Sequence, residues 1–244
     1  MTETNETFSA TQTARIAGLL YLVIILCGVG GEALGRAPLM GGDAAETTAN
    51  LLAAEGPFRL SILADVAMAL ADVGLGVLLF VLFARVDRTL SLMAMAFRLA
   101  QAAVLGLNLL NLQRAASLAH STLLPADVRD GMVQDALASH AAGYDLGLFF
   151  FAINCLLVGV LVARSGLAPR VVGIGIVLAG GVYLIGSTLR VVAPELAVAF
   201  APAYVLPLVA ELALCGSLLF GARRRLETAL VAFPHGHPGL AGAR

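Results

Sequence analysis

Residues Leu60 to Phe83 read LSILADVAMALADVGLGVLLFVLF, and this stretch decides the fold. It is longer than the roughly 20 residues an α-helix needs to cross a hydrocarbon core, and its only charges are Asp65 and Asp72. Five further runs of this kind follow the same pattern: Ala14 to Leu34, Ser91 to Leu112, Gly143 to Ala163, Val171 to Val192 and Leu196 to Gly221. The expectation is an all-α polytopic membrane protein, a bundle of six transmembrane helices with short interfacial helices in the outer loops. Residues 1–13 would form an N-terminal cytoplasmic tail, 14–221 the membrane domain, and 222–244 a basic, Pro/Gly-rich cytoplasmic tail without fixed structure.

Composition points the same way. Of 244 residues, 59% are hydrophobic and 13% charged, against about 25% charged in soluble chains. Too little polar surface remains to coat a compact globule in water, so the apolar surplus faces lipid. That excludes most soluble enzymes. A net charge of -1 excludes a nucleic-acid partner, because no basic excess exists to attract phosphates. All fifteen basic residues are Arg, which reads as a composition bias. Cys27, Cys155 and Cys215 lie far apart inside apolar runs and read as free thiols that behave as small hydrophobes.

The first run could also be read as a signal peptide, but the residues before Arg15 hold Glu3 and Glu6 with no base, and Glu32 spoils a cleavage site. A helix is the better reading. Gly31 and Gly35, four residues apart, form a small-residue pair suited to close helix packing. The arginines beside short loops, nine on one face against five on the other, put both termini of this expected plasma-membrane protein in the cytoplasm. On the outer side, Asp43 and Glu46 resemble a capping box for a short helix through Glu55, stopped by Gly56 and Pro57. Pro125 and Asp127 start a second, reaching about His140.

An ionisable side chain in the bilayer core costs about 2.5–3.5 kcal/mol on insertion scales, so each one asks for a partner or a function. Asp65, Asp72, Arg98, Asp145 and Glu211 qualify by depth. Asp65 and Asp72, seven apart, share a helical face, as do Arg98, Gln101 and Asn108. Asp72, Arg98 and Glu211 can occupy one layer, with Arg98 neutralised by either acid or both. Tyr204, Pro207, Glu211 and Cys215 form a face of the last run, and Pro207 would kink it by leaving the Ala203 carbonyl without its helical donor. No catalytic pair, metal-ligand spacing or cofactor motif is visible. His120 and His140 accompany Asp127, Asp130 and Asp135 without tight spacing, and Gly28, Gly30 and Gly31 lie inside a helix as packing glycines.

The runs ARIAGLLYL from Ala14, EGPFR from Glu55, AFRL from Ala96, FFFAINCLLVGVLVARSGLAPRVVGIGIVLAGGVYLI from Phe149 and LVAELAL around Glu211 carry a resemblance. Over about residues 14 to 221 the chain resembles a bacterial family of six-helix membrane proteins, domain of unknown function 4386. The resemblance implies the fold but no activity. It departs at Asn154, where related sequences tend to carry His, and at Gly216, where they often carry Trp. It adds Arg15 and Arg59 to the positions of interest.

Two readings stay open. The polar centre formed by Asp65, Asp72, Arg98, Gln101, Asn108 and Glu211, with Arg59, Asp145 and Tyr204 as secondary candidates, could serve a transporter, channel or ligand-binding protein. There Arg98 would fix an anion or hold the acids ionised, while Asp72 or Glu211 exchanges a proton or cation. The alternative is a structural or regulatory component partnering another membrane protein, its network only fixing helix packing. Expected partners are membrane lipids, a small-molecule or ion ligand, and a second copy of the chain.

Overall fold

The computed structural model describes residues 2–221, with side chains from Ala10 onward. The basic tail of 222–244, with its Arg and His residues, lies outside the described residues. Within them the chain is helical and contains no strand: α1 (Thr2–Gly30), α2 (Ala44–Ala53), α3 (Glu55–Phe83), α4 (Arg88–Ala119), α5 (Ala126–Ser165), α6 (Arg170–Val192), α7 (Pro194–Phe200) and α8 (Val205–Gly216). Six segments are long and apolar enough to cross a membrane: Ala10–Leu39, Glu55–Phe83, Arg88–Ala119, Ala126–Ser165, Arg170–Val192 and Pro194–Gly221. The protein is a multi-pass membrane protein.

Each span packs on its neighbour in sequence, and the sixth returns to the first, closing a ring. The tightest wall is α5 against α6. A Cβ on Gly159 would meet the Gly173 carbonyl oxygen at 2.6 Å, and one on Gly173 would meet the Ala163 amide nitrogen at 2.6 Å. Only glycine lets these backbones touch, which is how helices associate where lipid gives no hydrophobic drive. Gly35 serves α1 similarly, since its Cβ would fall 2.5 Å from Ser61 Cβ.

The ring has two unlike faces. On the short-turn face, α3 passes to α4 through Asp87, whose carboxylate accepts from the Leu90 amide at 3.0 Å. There α5 ends at Gly166, with φ of +70°, a left-handed cap that suits glycine. On the long-loop face, α2 starts as the capping residues predict: Asp43 Oδ1 accepts from the Glu46 amide at 2.8 Å.

Several expected boundaries shift. The separate helix over Pro125 to His140 is the first part of α5, whose 40 residues run unbroken; at about 1.5 Å per residue that is roughly 60 Å, well beyond a bilayer core. Its apolar residues Val133, Ala136 and Leu137 pack with Leu51, Phe58 and Leu112 in a second core, so continuing the helix buries more than breaking it would. The helix expected to reach Glu55 stops at Ala53, and Gly56 and Pro57 lie in the first turn of α3 instead. Proline is tolerated there because a first-turn N–H has no helical acceptor. Pro207 likewise falls in the first turn of α8, and the break in the sixth span is the tight 3-10 turn Ala201–Tyr204 just before it. α1 already runs from Thr2, ahead of the apolar run.

Candidate functional site

The deepest charge is Arg98 on α4. Its Nη2 lies 2.7 Å from Asp72 Oδ1 on α3, with both side chains at most 2% exposed. Its Nη1 donates to Asn154 Oδ1 on α5 at 3.1 Å, and Asn154 Nδ2 donates to the Ala94 carbonyl at 2.7 Å. The guanidinium also faces the rings of Tyr21 and Phe151, at 5.4 and 5.3 Å from their centroids. Arg98 is thus enclosed by an acid, an amide and two aromatic faces, which together offset the cost of removing it from water.

A second buried pair lies nearer the long-loop face. After Gly30 the first span widens into a π-helical turn, Gly31–Arg36. This turn brings Arg36, 2% exposed, back against α3, where Nη1 meets Asp65 Oδ2 at 2.7 Å and Nε meets Glu32 Oε2 at 2.9 Å. Asp65 and Asp72 do share a face of α3, yet they serve different bases. Among the described residues each buried arginine has its own buried acid.

Glu211 on α8 is different. Among the described residues no base stands within ion-pair distance of it. It accepts a hydrogen bond from the Tyr183 hydroxyl at 2.6 Å, with Tyr21 also in interaction range of its carboxyl. It shares this level of the bundle with Gln101, whose Nε2 donates to Asp72 Oδ2 at 3.3 Å. Gln101 is 5% exposed and its Oε1 is buried without a hydrogen-bond partner among the described residues. Turning the amide over would set two oxygens against each other, so the free acceptor is imposed by Asp72.

These groups meet at the bottom of a cavity of about 570 Å³ inside the ring. Asp72, Gln101, Phe151 and Glu211 form its floor; Met68, Tyr144, Leu148 and Tyr183 its walls; Glu32, Arg36, Asp145 and Arg190 its rim on the long-loop face. Asp145 Oδ1 and Arg190 Nε are paired across the rim at 3.4 Å. The volume falls within the roughly 300–1,000 Å³ usual for small-molecule sites. Below the floor the bundle is closed by Leu75, Leu161 and Leu218, all 0% exposed. There α1 and α8 touch, with Cys215 Sγ 3.4 Å from the Gly18 carbonyl. The cavity is therefore closed on the short-turn side.

The sequence-derived residues divide accordingly. Asp72, Gln101, Glu211, Asp145 and Tyr204 line the cavity. Arg98 and Asp65 stand behind it, each tied to a partner. Arg98 pairs with Asp72 alone, and its enclosure rules out direct binding of an anion from the cavity. Asn108, on the same helical face as Gln101, is spent on His140, donating to its carbonyl oxygen at 2.8 Å and pairing with its ring at 3.0 Å, and is not among the residues that line the cavity. Arg59 lies outside the site, in a surface pair with Glu55 at 2.6 Å.

Arg36, Tyr21, Tyr183 and Asn154 belong to the site but are not apparent as a group from sequence. Arg36 reads as a charge flanking the first run, and the tyrosines read as core aromatics. Asn154 stands out only as a departure from related sequences.

Residues 16–221 match a family model described as Domain of unknown function (DUF4386). No curated protein and no solved structure matches the chain.

Proposed function

The chain belongs to the DUF4386 family, whose description assigns no activity, and on that premise we propose that it is a plasma-membrane protein that receives a small solute in its central cavity, as the binding step of a carrier. The observation that carries this reading is a cavity large enough for an organic molecule on whose lining two buried polar atoms, Gln101 Oε1 and the Tyr204 hydroxyl, are left without a hydrogen-bond partner among the described residues. Internal packing alone favours satisfied polar groups, because an unpaired buried acceptor costs about 1–3 kcal/mol. A solute with a donor, or water that it displaces, offsets that cost.

Two features favour a carrier over an open pore. The cavity is closed on the short-turn side and reaches charged residues of the long-loop side, and the arginine bias of the sequence favours an outward long-loop face. Departures from α-helical geometry concentrate in the first and sixth spans, at Gly31–Arg36, Ala201–Tyr204 and Ser217–Gly221. These two spans meet each other at Gly18 and Cys215, and non-α turns in adjacent helices are places where a bundle can change shape.

The test is water access. In a chain with Cys27, Cys155 and Cys215 replaced by Ala, Met68→Cys on the cavity wall should react with a small membrane-impermeant thiol reagent added from one side of the membrane. Leu79→Cys, below the floor, should stay unreactive from that side. A Met68→Cys that reacts from neither side would show a closed core and favour the alternative, a network that only fixes helix packing.

A further inference from the structure

We infer that the solute is an organic cation with an apolar body, its charged head held at Glu211 and Gln101. This rests on the solute-binding reading above and adds the ligand's chemical class.

Most charges at the cavity are already matched. Arg36 is taken by Asp65 and Glu32, Arg98 by Asp72, and Arg190 by Asp145. Glu211 remains, a carboxyl at the floor with a tyrosine hydroxyl for a partner and no base at ion-pair distance among the described residues. On the same cavity lining, Gln101 presents an acceptor with no partner among the described residues. The floor therefore offers acceptors and seeks donors. An anion would meet two carboxyls, while the deep guanidinium that could attract it is screened by Asp72 and the rings of Tyr21 and Phe151.

The walls agree. Phe151, Tyr183 and Tyr204 form a continuous aromatic run from floor toward mouth, with successive centroids 5.2 and 5.8 Å apart. Aromatic faces stabilise a cation within about 6 Å, more so away from water. On the same cavity wall or facing it, Ile24, Met68 and Leu148 offer apolar surface suited to a hydrocarbon or aryl group. A bare metal ion fits poorly, since no three His, Cys, Asp or Glu side chains converge to hold one among the described residues. An ammonium on an apolar body satisfies each part: N–H donors for Glu211 and Gln101, charge for the carboxyl and rings, and bulk for the walls.

The test uses three probes of one shape: 4-phenylbutylamine, the neutral 4-phenylbutanol and the anionic 4-phenylbutyrate. Each is titrated calorimetrically against the full chain in nanodiscs, with empty nanodiscs as the blank. The amine should bind saturably and at least about tenfold more tightly than the alcohol, with the carboxylate weakest. Glu211→Gln should remove that preference, and Glu211→Asp, which keeps the charge, should retain most of it. Unfolding temperatures of both variants, read alongside, separate loss of binding from loss of fold. Butyrate binding as tightly as the amine, or an amine preference that survives Glu211→Gln, would overturn the inference and leave the solute-binding reading standing. No binding of any probe while Met68→Cys reacts also overturns the inference. No binding together with an unreactive Met68→Cys removes the solute-binding reading itself.

Discussion

Asp72 and Arg98 meet at 2.7 Å in the middle of the bundle, one on α3 and one on α4, and neither side chain is more than 2% exposed. Such a pair contributes little net stability when whole, because desolvating both ions consumes most of the attraction, yet breaking it leaves a bare charge. Asp72→Asn and Arg98→Gln should each cost about 3–5 kcal/mol, measured as unfolding in detergent. The double variant should recover part of that loss. If each single change costs no more than a surface substitution, the side chains do not meet as described.

The second pair should behave as an independent unit. Arg36 and Asp65 touch, so a double-mutant cycle between them should show a coupling of about 0.5–3 kcal/mol. Asp65 and Asp72 are seven residues apart, or about 10 Å along α3. Asp65→Asn and Asp72→Asn should therefore add to within about 0.5 kcal/mol. Strong non-additivity there would mean one merged network in place of two.

The difference between these pairs marks how far the sequence can be read. Ionisable residues inside apolar runs stand out, because lipid makes each of them costly, and that alone finds Asp65, Asp72, Arg98 and Glu211. Helical periodicity then says which of them share a face. It does not say which face of another helix lies opposite, so the partners of Arg98 and Glu211 could be narrowed but not separated. Arg36 is hidden for a different reason. It follows the apolar run, and only the widened turn Gly31–Arg36 carries it back inward. Tyr21 and Tyr183 carry no local signal, since an aromatic in a membrane span packs in lipid or protein alike. The six spans were legible because length and hydropathy are local properties, whereas the ring and its cavity depend on contacts far apart in sequence.

Glycine substitutions test the ring's tightest wall. A Cβ at Gly173 would strike the backbone of α5 on both sides, at Ala163 N and Gly159 O, and backbone cannot yield as a side chain can. Gly173→Ala should destabilise by about 1–3 kcal/mol. Gly106→Ala, where an added Cβ meets nothing within 4 Å, should be neutral or stabilise by about 0.5–1 kcal/mol, since alanine loses less backbone freedom in a helix. Equal effects at the two sites would argue against close packing of α5 on α6.

The rim pair of Asp145 and Arg190 should affect access as well as stability. Arg190 is half exposed, with its side chain at 51%, and its contact with Asp145 is long at 3.4 Å. Asp145, however, is only 11% exposed, so Arg190→Ala should cost more than the about 0–1 kcal/mol of a fully exposed pair and less than the about 3–5 kcal/mol of a fully buried one. The same change removes a positive charge from the mouth and leaves Asp145 unmatched above a floor that already holds Glu211. Cations should then enter faster and anions more slowly. With Met68→Cys as the reporter in the cysteine-free chain, a trimethylammonium thiosulfonate should gain in labelling rate over a sulfonate one when Arg190→Ala is added. Raising the salt should shrink that gain, because rim charges act through solvent where the screening length is about 10 Å at 0.1 M. An unchanged ratio would mean that reagent reaches Met68 by a route that avoids the rim, and the mouth would have to be sought elsewhere on the ring.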